Sequence, residues 1–473
     1  MREQLDAWVD AHRNEIISET QAILQIPSVE DPATAKPGIP FGQAIGDALR
    51  HTLNVCERAG MKTEDFEGYA GHAEFGEGEE IVAMLGHLDV VPPGTGWTTG
   101  PWEADIRDGW LFARGASDDK GPTYAALFGA RAVLETTQNA GVKLSRRIRL
   151  IFGCDEESGW QCMAHYFGPA GQPKPNLAFT PDADFPLVYA EKGSFTAVVR
   201  KIIPHTPNAP LYIASFMSGL RPNMVPESAE AMLHGDAGTL ELAAHVLAEM
   251  PGVSVEPNDN ALIVRATGKS AHGATPEMGD NAAAKLCRAL TNQTSALDDL
   301  SASDAEWTRD LARRVAPDGS GVGIAGSDDV TGPLTSNLGV VTCENGTVRA
   351  TFNIRYPATW DGDDVTGRFR NSLSETGWEI ETLSHTPPLY VPPDQEPVQT
   401  LLRVYREQTG DLRPPVTMGG RTYATSVAPV GVAFGPSMPG DPEVAHQKDE
   451  RIAIERLIGC AKIYAQALYE LAK

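Results

Sequence analysis

Apolar runs and helical stretches alternate along the first part of the chain. The continuous apolar run at 81–85 (IVAML) predicts a buried β-strand, and the segments 146–154 (RRIRLIFGC) and 176–180 (NLAFT) predict a second and a third strand. Between the first two strands, the alanine-rich segment 123–137 is long enough for a helix, and apolar residues near helical spacing predict further helices at both ends of the chain. Strands that alternate with helices in this way are typical of a layered α/β sheet.

The hydrophobic pattern changes near residue 193. Segments such as 195–203 (FTAVVRKII) and 346–357 (GTVRATFNIRYP) alternate apolar and polar residues, which is typical of antiparallel strands with one solvated face. At 473 residues the chain is also too long for one ordinary core. The sequence therefore predicts two domains, an α/β domain made from 1–192 and 386–473 and an inserted α+β domain over 193–385.

The chain is strongly acidic. Its 39 Lys and Arg residues against 63 Asp and Glu residues give a formal net charge of −24, so most of the surface would repel a phosphate backbone or an anionic membrane. We therefore expect neither nucleic acid nor a membrane as a partner. The six cysteines contain no CxxC pair, which is typical of reduced thiols. Neither a signal peptide nor an apolar span stands out, so we expect a soluble cytoplasmic protein.

Polar and mostly acidic residues follow each predicted strand at its carboxyl end. They are His87 and Asp89 after the first strand, Asp155, Glu156 and Glu157 after the second, and Asp182 and Asp184 after the third. In open α/β sheets, ligands bind just beyond these strand ends. Asp118 and Asp119 precede a predicted helix, and His446 precedes the last helix of the chain.

So many neighbouring carboxylates would repel one another and raise each other's pKa unless a cation lay between them. Histidine with carboxylate is the ligand set of zinc, manganese and cobalt sites. Each motif alone also fits an ordinary polar turn, but the joint pattern favours one divalent metal ion or a pair. The spacing of two places His87 and Asp89 on the same side of an extended segment. Asp89 is then able to accept a hydrogen bond from the imidazole nitrogen that binds no metal.

Eight short motifs occur in order along nearly the whole chain: GHLDVVP, ARGASDDKGP, DEESGW, PDADFP, EKGSF, GKSAHGATPE, NIRYP and the final HQ. Together they resemble the bacterial peptidase V type of dipeptidase. That type belongs to the dinuclear-metal family that also holds carboxypeptidase G, aminoacylase and succinyl-diaminopimelate desuccinylase. The resemblance implies an α/β, zinc-peptidase-like catalytic domain with a mixed central sheet, interrupted by an inserted α+β lid domain.

The resemblance also implies two divalent metal ions held by five side chains. His87 and Asp182 would bind one ion, Glu157 and His446 would bind the other, and Asp118 would bridge the two. Zinc is the first expectation, with manganese or cobalt as alternatives. The peptide bond between Asp118 and Asp119 would be cis, as in the family.

The same resemblance assigns the catalytic groups. Glu156 would be the general base that takes a proton from a metal-bridging water as the water attacks the amide carbonyl. Asp89 would support His87. His272, in the inserted domain, would donate a hydrogen bond to the developing oxyanion.

Two residues of the inserted domain would bind substrate. Arg355 resembles the arginine that grips the substrate's terminal carboxylate, a task suited to a bidentate guanidinium. Asn223 resembles a second polar contact. From the residues alone, both are ordinary strand-end or turn residues, and His272 is an exposed loop histidine. If these residues line the cleft, the insert is a lid whose closure completes the site.

The chain departs from the family at 418–426 (MGGRTYATS), where Arg421 replaces a third glycine and Thr425 replaces a basic residue. The leading prediction remains a metal-dependent dipeptidase that acts on small peptides. The alternative is an N-acyl amino acid deacylase of the desuccinylase or deacetylase type, in which Arg421 would bind an extra carboxylate. A third hypothesis, a non-catalytic binding protein, is disfavoured by the intact ligand set. The larger insert of this type implies a monomer.

Overall fold

The computed structural model describes residues 1–204, 209–291, 297, 299–374 and 376–473. These residues form two compact units. The first unit comprises Met1–Ala190 and Leu389–Lys473, and the second unit comprises Glu191–Pro388. The domain bounds predicted from sequence, at 192/193 and 385/386, lie within three residues of these divisions.

The helices of the described residues are, in chain order, α1 (Arg2–Ala11), α2 (Arg13–Leu24), α3 (Gln43–Arg58), α4 (Lys120–Ala140), α5 (Gln161–Phe167), α6 (Ala237–Ala248), α7 (Ala282–Leu290), α8 (Ala302–Arg314), α9 (Gly362–Leu373), α10 (Glu396–Thr409) and α11 (Ile454–Ala472). Across the part of the chain that the structure describes, none of them is both long and apolar enough to cross a membrane.

The strands of the described residues follow in the same order. They are β1 (Lys62–Phe66), β2 (Ala70–Phe75), β3 (Ile81–His87), β4 (Asp105–Arg107), β5 (Trp110–Phe112), β6 (Arg147–Gly153), β7 (Leu177–Thr180), β8 (Ala183–Asp184), β9 (Val188–Glu191), β10 (Gly193–Ile202), β11 (Leu211–Ser218), β12 (Ser228–Gly235), β13 (Val253–Asn258), β14 (Ala261–Thr267), β15 (Ser327–Asp328), β16 (Gly332–Pro333), β17 (Thr335–Glu344), β18 (Thr347–Tyr356), β19 (Glu379–Thr386), β20 (Leu389–Tyr390), β21 (Val416–Met418), β22 (Gly431–Ala433), β23 (Pro436–Ser437) and β24 (Arg451–Ala453).

The first unit is built on a nine-stranded mixed sheet. The strand order is β1-β2-β6-β3-β7-β22-β9-β20, and β21 also pairs with β9. Strands β6, β3, β7 and β22 run parallel at the centre, whereas β1, β2 and β6 pair antiparallel towards one edge. The three strands predicted from apolar runs are confirmed as β6, β3 and β7, which are neighbours in this mixed sheet.

Helix α4 packs directly against β3 and α11. All seven residues of β3 are buried, as expected of a central parallel strand covered on both faces. A Cβ atom at Gly86 would lie 2.0 Å from Oγ1 of Thr123 in α4. Glycine at this position therefore lets the helix approach the end of the strand that carries His87.

A small three-stranded sheet, β4-β5-β24, lies in the same unit. Strand β24 pairs antiparallel with β5, with Arg451 opposite Phe112 and Ala453 opposite Trp110. Because the pairing is antiparallel, the chain that leaves β5 and the chain that enters β24 lie at the same end of the ladder. The segment 113–119, which follows β5, and the segment 446–450, which precedes β24, therefore start next to each other at residues 113 and 450.

The second unit contains an eight-stranded sheet in the order β13-β14-β12-β11-β17-β18-β10-β19. The neighbouring strands pair antiparallel. In β10, Phe195, Ala197 and Val199 are buried in the core of the unit, and the residues between them are partly exposed. This alternation confirms the predicted antiparallel sheet with one core-facing side.

Two helical glycines test how closely α4 and α11 pack. A Cβ at Gly129 in α4 would lie 2.8 Å from the backbone nitrogen of Ala465 and 3.0 Å from the carbonyl oxygen of Ala461 in α11. Gly129→Ala should therefore destabilise the protein by about 1–3 kcal/mol, because overpacking forces the two backbones apart. The free energy of unfolding from urea titration measures the effect.

Gly459→Ala is the matched control for this prediction. It makes the same substitution inside a helix, but a Cβ at Gly459 meets no atom within 4 Å. It should stabilise the protein by about 0.5–1 kcal/mol, because alanine loses less backbone entropy on folding than glycine. Two changes of the same sign and size would contradict the close approach of α4 and α11.

Candidate metal centre

His87 is the last residue of β3 and is fully buried. Its Nδ1 lies 2.9 Å from the backbone carbonyl oxygen of Asp89 and 3.5 Å from the Asp89 carboxylate. Asp89 thus contacts the imidazole as the sequence predicts, but its carbonyl oxygen, and not its carboxylate, is the nearer acceptor. With Nδ1 engaged in this way, Nε2 is the nitrogen that is able to bind a metal ion.

The two carboxylate oxygens of Asp118 face two different histidines. Oδ1 lies 3.1 Å from Nε2 of His87, and Oδ2 lies 2.9 Å from Nε2 of His446. The peptide bond between Asp118 and Asp119 is cis, as the resemblance implies. A carboxylate oriented in this way is able to bridge two cations, each shared with one histidine.

Two further carboxylates lie beside these histidines. Oδ2 of Asp182 lies 3.8 Å from Nε2 of His87, and Oε1 of Glu157 lies 2.9 Å from Nε2 of His446. The five predicted ligands therefore form two sets that share Asp118. The His446 side chain is 53% exposed whereas that of His87 is 1% exposed, so the set that contains His446 is the more accessible one.

The donor atoms in these sets are spaced as ligands of one metal ion would be. Zinc bonds of about 2.0–2.2 Å place tetrahedral ligands about 3.3 Å apart, and the four distances above run from 2.9 to 3.8 Å. The donors are imidazole nitrogens and carboxylate oxygens, which suit zinc, manganese or cobalt. The residues of this cluster therefore fit a pair of divalent ions.

Glu156 lies close enough to join the cluster. It offers a ligand atom within 4.8 Å of ligand atoms of His87 and Asp182, and Glu157 does the same with His87 and Asp118. Distances alone therefore do not separate a metal-binding glutamate from a catalytic one. The assignment of Glu156 as base and Glu157 as ligand continues to depend on the family resemblance.

Burial dominates the electrostatics of the acidic groups. Loss of water raises the pKa of Glu156 and Asp182 well above the usual values and also raises the pKa of Glu157, and neighbouring carboxylates add to each shift. Burial also opposes ionisation of Asp118, but hydrogen bonds from His446 and His87 outweigh it and hold the pKa of Asp118 well below its usual value. A bound cation would stabilise the ionised form of every carboxylate in the cluster.

Both histidines hold their protons strongly when no metal is present. Hydrogen bonds to Asp118 and Glu157 raise the pKa of His446 to about 10. Burial lowers the pKa of His87, but hydrogen bonds to Asp118 and Asp89 outweigh it and raise that pKa well above its usual value. A metal ion that binds either imidazole would therefore have to displace a proton.

Two carboxylates outside the predicted ligand set bind backbone N–H groups of the ligand-bearing segments. Oδ1 of Asp89 accepts a hydrogen bond from the N–H of Glu156 at 3.1 Å, and Oδ2 accepts one from the N–H of Glu157 at 3.0 Å. Oδ2 of Asp119 accepts a hydrogen bond from the N–H of His87 at 3.2 Å. Sequence reasoning missed these contacts, because a backbone donor has no side-chain signature.

Arg421 belongs to the same unit as this cluster. Its guanidinium carbon lies 4.0 Å from the centre of the Trp160 ring, and Nε1 of Trp160 donates a hydrogen bond to the carbonyl oxygen of Glu156 at 2.7 Å. Arg421, which departs from the family pattern, is therefore stacked on Trp160, and Trp160 is hydrogen-bonded to the backbone of Glu156.

The three predicted substrate-side residues lie in the second unit. The N–H of Gly273 donates a hydrogen bond to the carbonyl oxygen of Asn223 at 2.7 Å, so the segments that carry Asn223 and His272 are adjacent. Arg355 lies on β18, opposite Thr335 of β17. The roles assigned to His272, Arg355 and Asn223 stay predictions.

The chain is similar to known peptidases over most of its length. Residues 83–470 match the model of "Peptidase family M20/M25/M40". The chain is 40% identical over 471 residues to "Putative dipeptidase YtjP" of Bacillus subtilis (strain 168), with 98% of each chain covered.

Several solved structures share its fold, and two of them serve as examples. One is the M20 family metallo-carboxypeptidase Sso-CP2 from Sulfolobus solfataricus, with a TM-score of 0.57, 16% identity and coverage of 97% of this chain and 99% of that chain. The other is the aminoacylhistidine dipeptidase from Vibrio alginolyticus, with a TM-score of 0.57, 16% identity and 96% of each chain covered. At these identities the likeness is one of fold.

Metal binding to the stripped protein should release protons. Because the pKa of His446 is raised to about 10, its imidazole stays protonated between about pH 6 and pH 8, and a metal ion must displace that proton. The apparent affinity should therefore rise with pH, by up to about tenfold per pH unit for each proton released. Calorimetric titration in buffers of different ionisation enthalpy counts the protons, and an affinity independent of pH would contradict the assignment of His446 as a ligand.

Proposed function

The chain belongs to peptidase family M20/M25/M40, and from that premise we propose that it is a metal-dependent dipeptidase. It would hydrolyse the amide bond of dipeptides or short peptides. The observation that carries the proposal is the orientation of Asp118, whose two oxygens face His87 and His446 at 3.1 and 2.9 Å. The name of the Bacillus subtilis relative supports the same class of substrate.

The proposal assigns two divalent metal ions to the cluster, zinc first and manganese or cobalt as alternatives. His87 and Asp182 would hold one ion, His446 and Glu157 the other, and Asp118 both. When bound, such ions act as Lewis acids that lower the pKa of water and polarise a substrate carbonyl. The distances within each set and the raised pKa values of Asp182 and Glu157 support this assignment.

Glu156 is the proposed general base. Its backbone is held on both sides, by Asp89 at its N–H and by Trp160 at its carbonyl oxygen, so the point from which its side chain projects is fixed. Burial raises the pKa of its carboxyl group well above the usual range, which suits a group that must accept and then release a proton. Glu156 would take a proton from water as the water oxygen bonds to the amide carbon. It would then give that proton to the amine as the C–N bond breaks.

Residues of the second unit complete the proposal. His272 would donate a hydrogen bond to the oxyanion that forms at the carbonyl oxygen. Arg355 would bind the terminal carboxylate of the peptide through its guanidinium, and Asn223 would add a second polar contact. The second unit would then act as a lid, and the enzyme would work as a cytoplasmic monomer.

The second candidate function is hydrolysis of an N-acyl amino acid. The observation that favours it is Arg421, a cation stacked on Trp160 in the unit that carries the metal cluster. A succinyl group has an additional carboxylate that a guanidinium recognises well. A dipeptide has a free ammonium group at the corresponding end, which a neighbouring guanidinium would repel.

A substrate panel should separate the two functions. The protein is stripped of metal, reloaded separately with zinc, manganese or cobalt, and assayed with dipeptides, N-acetyl amino acids and N-succinyl amino acids. We expect hydrolysis of dipeptides with at least one of the three metals, in keeping with the dipeptidase name of the Bacillus subtilis relative. Cleavage of acyl substrates alone would reject the dipeptidase in favour of the deacylase.

Glu156→Ala should abolish nearly all turnover while the protein keeps its metal. Loss of a general base costs about 10²- to 10⁴-fold in rate, and Glu156 is not a ligand in the assignment above. The measurements are kcat with a dipeptide and the metal content after dialysis. Glu157→Ala, one residue away, is the matched variant and should lose metal. If Glu156→Ala loses the metal and Glu157→Ala keeps it, the two roles are exchanged.

A further inference from the structure

Glu450 is a fully buried carboxylate close to the metal cluster that the proposed reaction does not use. Its Oε1 accepts hydrogen bonds from the N–H of Ser117 at 2.8 Å, the hydroxyl of Ser117 at 3.1 Å and the N–H of Asp118 at 3.1 Å. Its Oε2 accepts hydrogen bonds from Arg114 Nη1 at 2.6 Å and from the N–H of Gly115 at 3.1 Å. One side chain thus binds five donors from 114–118.

The main chain of Glu450 is held at the same place. Its carbonyl oxygen accepts a hydrogen bond from the N–H of Ala113 at 3.1 Å, directly beyond the point where β24 pairs with β5. From there one segment runs to Asp118, and the other runs back to His446. Glu450 therefore ties together the two loops that bring Asp118 Oδ2 and His446 Nε2 within 2.9 Å of each other.

The buried charge of Glu450 is paired with a cation and with hydrogen-bond donors. Arg114, its ion-pair partner, is 1% exposed, and the carboxylate itself is 0% exposed. A buried charge is tolerated when it is paired and when its lone pairs are occupied by donors. Because three of the five donors are backbone N–H groups, this carboxylate sets the path of the main chain as well as the position of a side chain.

We propose that Glu450 is a positioning residue that fixes the geometry of the His446–Asp118–Glu157 metal site. The proposal rests on the ligand assignment in the proposed function. This site takes one ligand from each loop that Glu450 ties together. The site formed by His87 and Asp182 shares only Asp118 with those loops. Loss of Glu450 should therefore weaken one metal site more than the other, which a general loss of stability would not do.

The test is a Co²⁺ titration of the metal-stripped protein, followed by visible absorption and calorimetry. Wild type should bind two equivalents. Glu450→Gln keeps the size of the side chain but removes its charge and presents an NH₂ group to some of the donors. It should lower the affinity for one equivalent by about 10- to 100-fold, the usual effect of losing a group that orients a metal ligand. The other equivalent should change by less than about threefold.

Two variants accompany Glu450→Gln. Glu74→Gln is the matched control, because Glu74 is a half-buried carboxylate of the same unit that pairs with Arg147 at 3.2 Å and Arg149 at 2.6 Å, away from the end of β6 that leads to Glu156. It should leave both affinities unchanged. Glu450→Asp keeps the charge beside Arg114 but shortens the reach to Ser117 and Asp118. If Glu450→Gln does not fold, Glu450→Asp should still show the weakened single site.

Several results would overturn the proposal. They are a wild type that binds only one Co²⁺, Glu450 variants with both affinities unchanged, and Glu450 variants in which both affinities fall to the same degree. No peptide is needed for this titration. A protein that binds two Co²⁺ with the expected split but cleaves no dipeptide would leave the role of Glu450 intact and reject only the proposed function.

Discussion

Burial of several neighbouring carboxylates at one point is the constraint on which the rest of this structure depends. Asp118, Glu156, Glu157 and Asp182 surround two imidazoles, and the pKa values of three of the four carboxyl groups are raised by burial. Without a cation, ionisation of Glu156, Glu157 and Asp182 costs stability, because their charges are buried. Divalent cations bound by these groups would make the arrangement favourable, and the distances of 2.9 to 3.8 Å between imidazole nitrogens and carboxylate oxygens suit that purpose.

Hydrogen bonds to the main chain hold the segments that carry the proposed ligands. Each of three proposed ligands has a backbone N–H group bound to a carboxylate from a different segment: His87 to Asp119, Glu157 to Asp89, and Asp118 to Glu450. The carboxylates of Asp119, Asp89 and Glu450 bind main-chain N–H groups. The side chains of the proposed ligands therefore stay oriented towards one another. Some of the acidic residues behind the strong negative charge of the chain therefore lie in the interior, where they accept hydrogen bonds from backbone N–H groups.

Sequence patterns predicted the parts of the structure that depend on local order. The apolar runs identified β3, β6 and β7, and the polar residues directly after them indicated the edge where His87, Glu157 and Asp182 gather. Parallel strands covered on both faces leave this signature, because nearly every residue of such a strand must be apolar. The motif order then identified the family, which the comparisons confirm.

Contacts between distant segments were not predictable in the same way. The strands β5 and β24 have three residues each and pair across more than three hundred positions of sequence, so no periodicity marks them. The hydrogen bonds from the N–H groups of Glu156 and Glu157 to Asp89 were missed for a related reason, since spacing suggested only the contact with His87. Glu450 is similarly one acidic residue among 63 until the fold brings it to Asp118.

The proposed function depends above all on Asp118 bridging two metal ions, with Glu157 as a ligand and Glu156 outside the metal sites. Anomalous X-ray diffraction from crystals loaded with zinc or manganese tests this arrangement most directly. We expect two anomalous peaks about 3.5–4 Å apart, the usual separation in two-metal sites. One peak should lie beside His87 and Asp182, the other beside His446 and Glu157, and one oxygen of Asp118 should face each. A single peak, or a peak bonded to Glu156 in place of Glu157, would contradict it.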